Sequence, residues 1–457
     1  MTIKSINPAT EEVMAEYQEL TAEQVDRALD ESQKTYRQWR KTTFAERAKL
    51  MIDAAAYLRK NKERLATLAT AEMGKPITEA EGEIEKCAWN CEYYAEMAPE
   101  FLAPRPAQTN ATESYVAFEP IGTVLAVMPW NFPFWQVMRF AAPALMAGNA
   151  AVLKHASNIP QCALALEEIF RETGFPSGLF QTLLVPGSGV EKIIADKRIA
   201  AVTLTGSDDT GSKVAAASGH NLKKTVLELG GSDPFIILSD ADIPAAAKVA
   251  ARARNQNNGQ SCIAAKRFIV VEDVADKFEE AFIAEVGALK VGDPMDRSVQ
   301  VGPLARSDLR DDLTDQVDRS LAAGARLAAG GHRPERKGWY YMPTVLTGVT
   351  PDMPAFREEI FGPVAAVIRA RSTEDAIELA NDSEYGLGGA LWTRDIEKGK
   401  QLARQIESGA IFINGMTASD PRLPFGGVKR SGYGRELADF GIREFVNIQT
   451  VWIGPAV

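Results

Sequence analysis

From about residue 121 onward the chain alternates short apolar runs of strand length with helical stretches, and few folds accept that pattern. GTVLAVMP, AAVLK, FQTLLVPG and AAVTLTG are each apolar and each closed by Gly, Pro or a polar turn. Strands separated by helices pair in parallel with helices on both faces, so the pattern predicts an α/β fold with a doubly wound parallel sheet. A second series begins near Glu228 with DPFIILS and continues through RFIVVED, AAVIRA and GAIFING. Two such units in succession predict two sheet domains with a cleft between them, and ligands favour such clefts.

The flanking segments add helices and a small sheet. Thr21 with Gln24, and Thr43 with Glu46, have the spacing of capping boxes ahead of amphipathic helices. The second of these helices is expected to run through an Ala/Leu-rich stretch and stop near Gly74, with Pro76 beyond. Cys87 and Cys91 lie four apart in a further helical pattern and read as packing residues, as does Cys162 beside Leu164 and Ala165. In the tail EFVNIQTVWIG, Val446, Ile448 and Trp452 fall on one strand face, and SYVAFEP (114 to 120) is the expected partner strand. The expected division is 1-110 with 121-227, then 228-430, with 111-120 and 431-457 forming a small projecting β element. An exposed apolar sheet edge pairs readily with another copy, so a homodimer or dimer of dimers is expected.

Composition excludes several classes. A net charge of -10 with no basic tract argues against a nucleic-acid partner. The longest apolar stretch, Phe140 to Leu153, is broken by Pro143, Gly148 and Asn149 and falls short of the ~20 residues that a bilayer needs, so no membrane association is expected. The polar start MTIKSINPATEEV lacks a signal-peptide core. Four cysteines without a CxxC pair suggest neither a disulfide framework nor a zinc site, and a cytoplasmic location follows as the expectation.

Against that background one cysteine stands apart. Cys262 lies in NQNNGQSCIAAKR (255 to 267), among Gly, Asn, Gln and Ser, where a reagent must reach its sulfur. A free thiol has a pKa of ~8.5, so a nucleophilic cysteine needs help at neutral pH. The chain has only His155, His220 and His332, none in a cysteine-protease motif, which disfavours a cysteine-histidine hydrolase. Glu228, followed closely by Gly230 and Gly231 in TVLELGGSDP, is a better-placed base at a strand end. Asn131 in PWNFPFW supplies a neutral amide donor for an oxyanion.

PWNFP, AAVLKHAS, LTGS (204 to 207), LELGG, GQSC, EEIFGP (358 to 363) and PFGGVKRSGYGRE (424 to 436), in this order, resemble the aldehyde dehydrogenase superfamily over essentially the full length. The resemblance implies that Cys262 is the nucleophile and Glu228 the general base, with the Asn131 side chain and the Cys262 backbone N–H as oxyanion hole. It implies a thiohemiacetal, hydride transfer to a nicotinamide, and hydrolysis of a thioester by water that Glu228 activates. A catalytically retired binding protein on the same fold is disfavoured, because all three residues are retained.

The same resemblance places the cofactor against Trp130, Asn131, Lys154, His155, Ala156, Ser157, Gly206, Ser207, Leu229, Glu359 and Phe361. Gly206-Ser207 precedes a helical stretch, as a pyrophosphate contact at a helix N-terminus does. GSDDTGSK (206 to 213) ends in Ser-Lys where a P-loop needs Lys-Ser/Thr, so nucleoside triphosphate binding is set aside. Many NAD-preferring relatives carry a glutamate three positions after the lysine corresponding to Lys154. Here Ser157 is neutral, which removes like-charge repulsion against a 2′-phosphate, and NADP is expected over NAD, with NAD still usable.

For the substrate, Arg139, eight residues after Asn131, and Ser419, five before Pro424, match the succinate-semialdehyde dehydrogenase subgroup. A guanidinium holding a carboxylate bidentately would select an aldehyde with a distal carboxylate. The alternative is a broad aliphatic or aromatic aldehyde dehydrogenase in which Arg139 is incidental. Some subgroup members have a second cysteine two positions past the nucleophile. Ala264 stands there in this chain, so a local disulfide switch is not expected.

Overall fold

The four strand-length runs ahead of Glu228 form the middle and one edge of a six-stranded sheet. Its order is Gly432–Tyr433, Lys224–Glu228, Ile199–Thr205, Thr123–Met128, Ala150–His155 and Phe180–Thr182. Every pairing is parallel except that of Gly432–Tyr433, which runs antiparallel to Lys224–Glu228. This computed structural model describes residues 2–455; Met1, Ala456 and Val457, the outer ends of the first and last expected segments, lie outside them.

The second series builds a seven-stranded sheet in the order Arg326–Ala329, Thr344–Thr347, Val364–Ala370, Arg267–Val271, Pro234–Ile237, Gly388–Trp392 and Ala410–Ile413. Only Arg326–Ala329 is antiparallel. All residues of Thr123–Met128, Ala150–His155 and Arg267–Val271 are buried, which explains why these strands read as continuous apolar runs and not as alternation. The α/β architecture with two doubly wound sheets agrees with the sequence reading.

Three strands of the second sheet escape that reading: Arg326–Ala329, Thr344–Thr347 and Gly388–Trp392. The last opens on two glycines, which lack β propensity. A Cβ at Gly388 would stand 2.5 Å from Thr417 Cγ2 and 2.6 Å from Asp233 Oδ2, so packing against neighbours determines the residue.

Val446–Ile453 runs antiparallel to Glu113–Pro120 over its whole length, and Arg105–Pro106 adds a short edge. Ile448, Trp452 and Ile453 are 63%, 52% and 43% exposed on this small sheet. The stretch 431–457 does not behave as one piece, however. Gly432–Tyr433 joins the six-stranded sheet, and the short helix Ala438–Arg443 packs on Ile77–Phe101, where the Tyr94 hydroxyl donates to Ala438 O at 3.0 Å.

Both capping boxes form, at Thr21 and Thr43. The expected long second helix is instead two, Phe44–Lys60 and Lys62–Met73, because Asn61 turns its amide back onto Tyr57 O at 2.9 Å. Gly74 then ends the second helix in the left-handed region, φ 85°. Cys87, Cys91 and Cys162 are fully buried packing residues. Among the described residues no helix is long and apolar enough to cross a membrane.

Candidate active site

The helix Ile243–Asn255 delivers the chain into a turn in which Asn257, Asn258 and Gly259 are all left-handed, with φ of 56°, 59° and 73°. Two such non-glycine residues in succession cost roughly 1 to 3 kcal/mol each, so their surroundings must hold them. Asn257 Nδ2 donates to Asn131 O at 2.8 Å and to Gln260 O at 2.9 Å, and its backbone N–H donates to Glu79 at 2.6 Å. Asn258 Nδ2 donates to Gly74 O and Pro303 O, both at 2.8 Å, and its Oδ1 accepts from Gly302 N at 2.7 Å. Lys266 then closes the loop from below, donating to Ser261 O at 2.9 Å and Cys262 O at 2.7 Å. The consequence is a rigid mount for Cys262, the one cysteine of four that is only partly buried.

Two cavities meet at that thiol. The wider, about 450 Å³, is walled by Trp130, Asn131, Gly206, Ser207, Leu229, Glu359 and Phe361. The narrower, about 110 Å³, is walled by Lys86, Phe132, Trp135, Arg139, Ser419 and Phe425. Burial pushes the Cys262 thiol up to about 12, against the lowering influence of Lys266 and Arg139. Asn131 is buried, and its amide nitrogen donates to Gln260 O at 3.1 Å, which leaves its second N–H for a ligand.

Glu228 closes the strand Lys224–Glu228 and lines neither cavity. Its carboxylate is turned toward Gly426, where a Cβ would stand 2.6 Å from Oε1. Neither oxygen accepts a hydrogen bond among the described residues. Burial first, then the neighbouring Glu436, raises its pKa well above the carboxylate range, while Arg139 and Arg435 oppose the shift. In this position burial and Glu436 favour the neutral carboxyl, and a base at Cys262 requires it to swing.

The residues expected at the cofactor divide into two groups. Trp130 and Phe361 meet edge to face at 5.7 Å. Glu359 accepts from Gly231 N at 2.9 Å and pairs with Lys266 at 3.4 Å. A Cβ at Gly230 would lie 2.6 Å from Glu359 Oε2, and one at Gly231 2.6 Å from Cys262 O, so this glycine pair lets the chain pass between the two groups. Gly206 N donates to Glu228 O at 3.0 Å, and Ser207 caps the helix Asp208–His220.

Thr210 on that helix also borders a further cavity of about 570 Å³, lined by Lys154, Glu191, Lys213, Val214 and His220. Ala156 is half-buried and Ser157 exposed, just past the end of Ala150–His155, and neither lines these cavities. His155 departs from expectation. Its Nε2 donates to Pro133 O at 2.8 Å, its Nδ1 accepts from Ala156 N at 3.1 Å, and burial lowers its pKa to about 4. The imidazole is neutral and pins the PWNFP turn; it does not face a ligand.

Arg139 departs as well. Expected to hold a substrate carboxylate, it does line the narrow cavity, with its guanidinium buried, ion-paired with Glu436 and stacked 4.6 Å from the Phe425 ring centroid. Ser419 does line the narrow cavity, where its hydroxyl accepts from Lys86 Nζ at 2.7 Å. Sequence reasoning missed Lys86, Lys266, Asn257, Asn258 and Gln260. The GQSC motif pointed at the loop, but nothing in the sequence marks a lysine on a helix or four residues past a cysteine as part of a site.

Residues 1–451 match the model of the aldehyde dehydrogenase family. The chain belongs to the aldehyde dehydrogenase family. It is 52% identical over 453 residues to a probable succinate-semialdehyde dehydrogenase [NADP(+)] of Synechocystis sp., covering 99% of this chain and 100% of that one. It is 52% identical over 460 residues to a succinate-semialdehyde dehydrogenase [NADP(+)] of Mycobacterium avium, covering 100% and 98%. The crystal structure of succinic semialdehyde dehydrogenase from Streptococcus pyogenes in complex with NADP+ superimposes with a TM-score of 0.97 at 42% identity, covering 99% of this chain and 100% of that one.

The dinucleotide that an aldehyde dehydrogenase uses fits the donor set of this chain. The Ser207-capped start of the 13-residue helix Asp208–His220 offers backbone N–H groups between the two larger cavities. Val190, Ile194 and Val214 give an apolar wall, while Lys154 and Lys213 supply cations against the single carboxylate Glu191.

Proposed function

We propose that this aldehyde dehydrogenase oxidises succinate semialdehyde to succinate and prefers NADP to NAD. The observation that carries the reading is Cys262 on the partition between a dinucleotide-sized track and a cavity of about 110 Å³ with a cationic wall. The relatives named above act on the same semialdehyde by name, and their 52% identity spans the whole chain.

In this reading the Cys262 thiol loses its proton to solvent water in the cavity, and the thiolate attacks the aldehyde carbon. The oxyanion is received by the free Asn131 N–H and the Cys262 backbone N–H; one such donor is worth about 100- to 1000-fold in rate. The thiohemiacetal carbon loses its hydride, for which NADP would supply the acceptor when bound, and a thioester to Cys262 remains. Glu228 then leaves its buried position, regains ordinary carboxylate acidity and takes a proton from the water that attacks the thioester. Succinate departs and the thiol is restored. Trp130, Leu229, Glu359 and Phe361 would hold the cofactor's reactive end, and Lys154, with the neutral Ser157 at the exposed strand end beyond it, would accommodate a 2′-phosphate.

We assign 1-110 with 121-227 to the cofactor domain, 228-430 to the catalytic domain, and 111-120 with much of 431-457 to oligomerisation. The exposed Ile448, Trp452 and Ile453 on the sheet edge support a homodimer or dimer of dimers, and sedimentation at the mass of a single chain would overturn it. A cytoplasmic location is consistent with the four free cysteines.

The deciding experiment is steady-state kinetics with succinate semialdehyde and its uncharged analogue butanal, each with NADP and with NAD. Succinate semialdehyde is expected to exceed butanal in kcat/KM by about tenfold or more, and NADP to exceed NAD. Equal efficiency for the two aldehydes would leave the broad-specificity reading in its place.

A further inference from the structure

Asn131 and Cys262, the two halves of the proposed oxyanion hole, hang from different sheets. Asn131 follows Thr123–Met128 of the six-stranded sheet, and Cys262 precedes Arg267–Val271 of the seven-stranded one. A donor serves an oxyanion only within hydrogen-bond reach, so the spacing of the two must be fixed by something that touches both segments. One face of the helix Ile77–Phe101 does so.

Glu79, Glu83 and Asn90 fall on that face, four and seven residues apart. The Glu79 carboxylate accepts from Asn257 N at 2.6 Å, on the loop that carries Cys262. One turn further on, Glu83 Oε1 accepts from Phe134 N at 2.7 Å and Trp135 N at 2.9 Å, just past Asn131. Asn90 Nδ2 then donates to Met138 O at 2.9 Å. Lys75, buried ahead of the helix, pairs with Glu83 and lies 4.1 Å from the Phe132 ring centroid. The helix start is itself docked beneath the cysteine loop, where Ile77 N donates to Pro294 O at 2.8 Å and Gly74 O accepts from Asn258 Nδ2 at 2.8 Å.

Asn257 passes this placement on to the donor. Its two amide hydrogens are both engaged, with Asn131 O at 2.8 Å and Gln260 O at 2.9 Å, and Gln260 O also accepts from Asn131 Nδ2 at 3.1 Å. A carbonyl at that point admits the nitrogen of the Asn131 amide and not its oxygen, which sets the orientation of the amide. Asn131 is thus fixed at its backbone and, through Gln260, at its side chain by one neighbour, whose left-handed backbone is anchored by Glu79.

We infer that Glu79 and Asn257 are positioning residues for the oxyanion hole: the helix carboxylate fixes Asn257, and Asn257 fixes the Asn131 amide relative to Cys262. The inference rests on the reading of Asn131 as oxyanion donor and deepens it by naming what holds that donor in place. Neither positioning residue lines either cavity. Their influence is felt when charge gathers on the carbonyl oxygen, so kcat and kcat/KM should fall together while KM holds.

A double-mutant cycle tests this, read as kcat/KM for succinate semialdehyde with NADP saturating. Asn131→Ala should lower it about 100- to 1000-fold. Glu79→Ala should lower it about ten- to hundredfold, since a displacement near 1 Å can cost about 100-fold. Glu79→Gln, which still presents an acceptor oxygen to Asn257 N, should keep most of the activity. On the Asn131→Ala background, Glu79→Ala should cost less than about threefold further, because the donor it places is already gone. The factors should be the same with butanal, whose carbonyl meets the same hole. Equal losses from Glu79→Ala on both backgrounds would mean a general weakening of the fold and would overturn the inference, as would full activity in Glu79→Ala.

Asn257→Gly covers the case in which Glu79→Ala fails to fold. A φ of 56° suits glycine, the backbone N–H to Glu79 remains, and only the two side-chain donations are removed. It should show the same loss with the same dependence on Asn131, and unchanged activity would overturn the role of Asn257. Unchanged activity in Asn131→Ala would instead defeat the oxyanion reading itself, which separates the two failures.

Discussion

On the side of Cys262 that faces Trp130 and Phe361, charged groups have partners: Glu359 meets Lys266 at 3.4 Å and Arg306 meets Asp308 at 2.6 Å. On the side that faces Trp135 and Ser419, Lys86 has a hydroxyl and a ring but, among the described residues, no ion-pair partner. The first wall is complete before any ligand binds and offers shape, backbone donors and an aromatic edge. The second holds one paired cation, Arg139 with Glu436, and one, Lys86, whose hydrogen bond goes to a hydroxyl. The wider side thus presents paired charges, and the narrower side adds an ammonium held by a hydroxyl.

Three measurements sharpen or break that contrast. The largest effect is expected at Glu228, which lies outside both cavities and must move to serve either. Glu228→Gln should lower the steady-state rate by about 100- to 10,000-fold while a burst of one turnover per site survives, read by stopped-flow absorbance. A full steady-state rate would remove Glu228 as the base that frees the acyl group. Next, Ser157→Glu adds a carboxylate on the dinucleotide side alone. It should lower kcat/KM with NADP by about ten- to hundredfold without a parallel loss with NAD, and equal losses would show that the preference is set elsewhere.

The smallest effect concerns the partition itself. With the thiol pushed up to about 12 by burial, the thiolate fraction grows with each step in pH. Alkylation of Cys262 by iodoacetamide, followed by mass spectrometry, should accelerate about tenfold per pH unit between about 7 and about 9. Cys87, Cys91 and Cys162 should stay unmodified, being fully buried. A plateau at neutral pH would mean that the resting thiol is already activated and that the two walls are electrostatically less distinct than described.

How much of this was legible in the sequence follows from how each signal arises. Strands buried on both faces, such as Ala150–His155, announce themselves as unbroken apolar runs, and helix starts such as Thr21 and Thr43 carry their caps within four residues. Gly388–Trp392 did not, because its opening glycines answer to Thr417 and Asp233, distant in sequence. In the site, Cys262, Asn131 and Glu228 were visible because their chemistry depends on residue type and motif. The state of Arg139 was not, since its counter-ion Glu436 is 297 positions away in the chain. Lys86 and Ser419 are likewise brought together across 333 positions, and only the fold makes them neighbours. His155 was legible as a member of a motif but not as a neutral pin.

The glycines around the thiol carry one more consequence. Gly230 and Gly231 leave no room for a methyl group between Glu359 and Cys262, and Gly259 sits left-handed against Gly362. A single added carbon at any of them would displace the sulfur or its neighbours, whereas trimming a side chain elsewhere in the wall removes one contact and leaves the mount in place. A screen that truncates residues to alanine would therefore read these positions as gains of a methyl group, and would lose activity at Gly231 and Gly259, where the added carbon meets backbone.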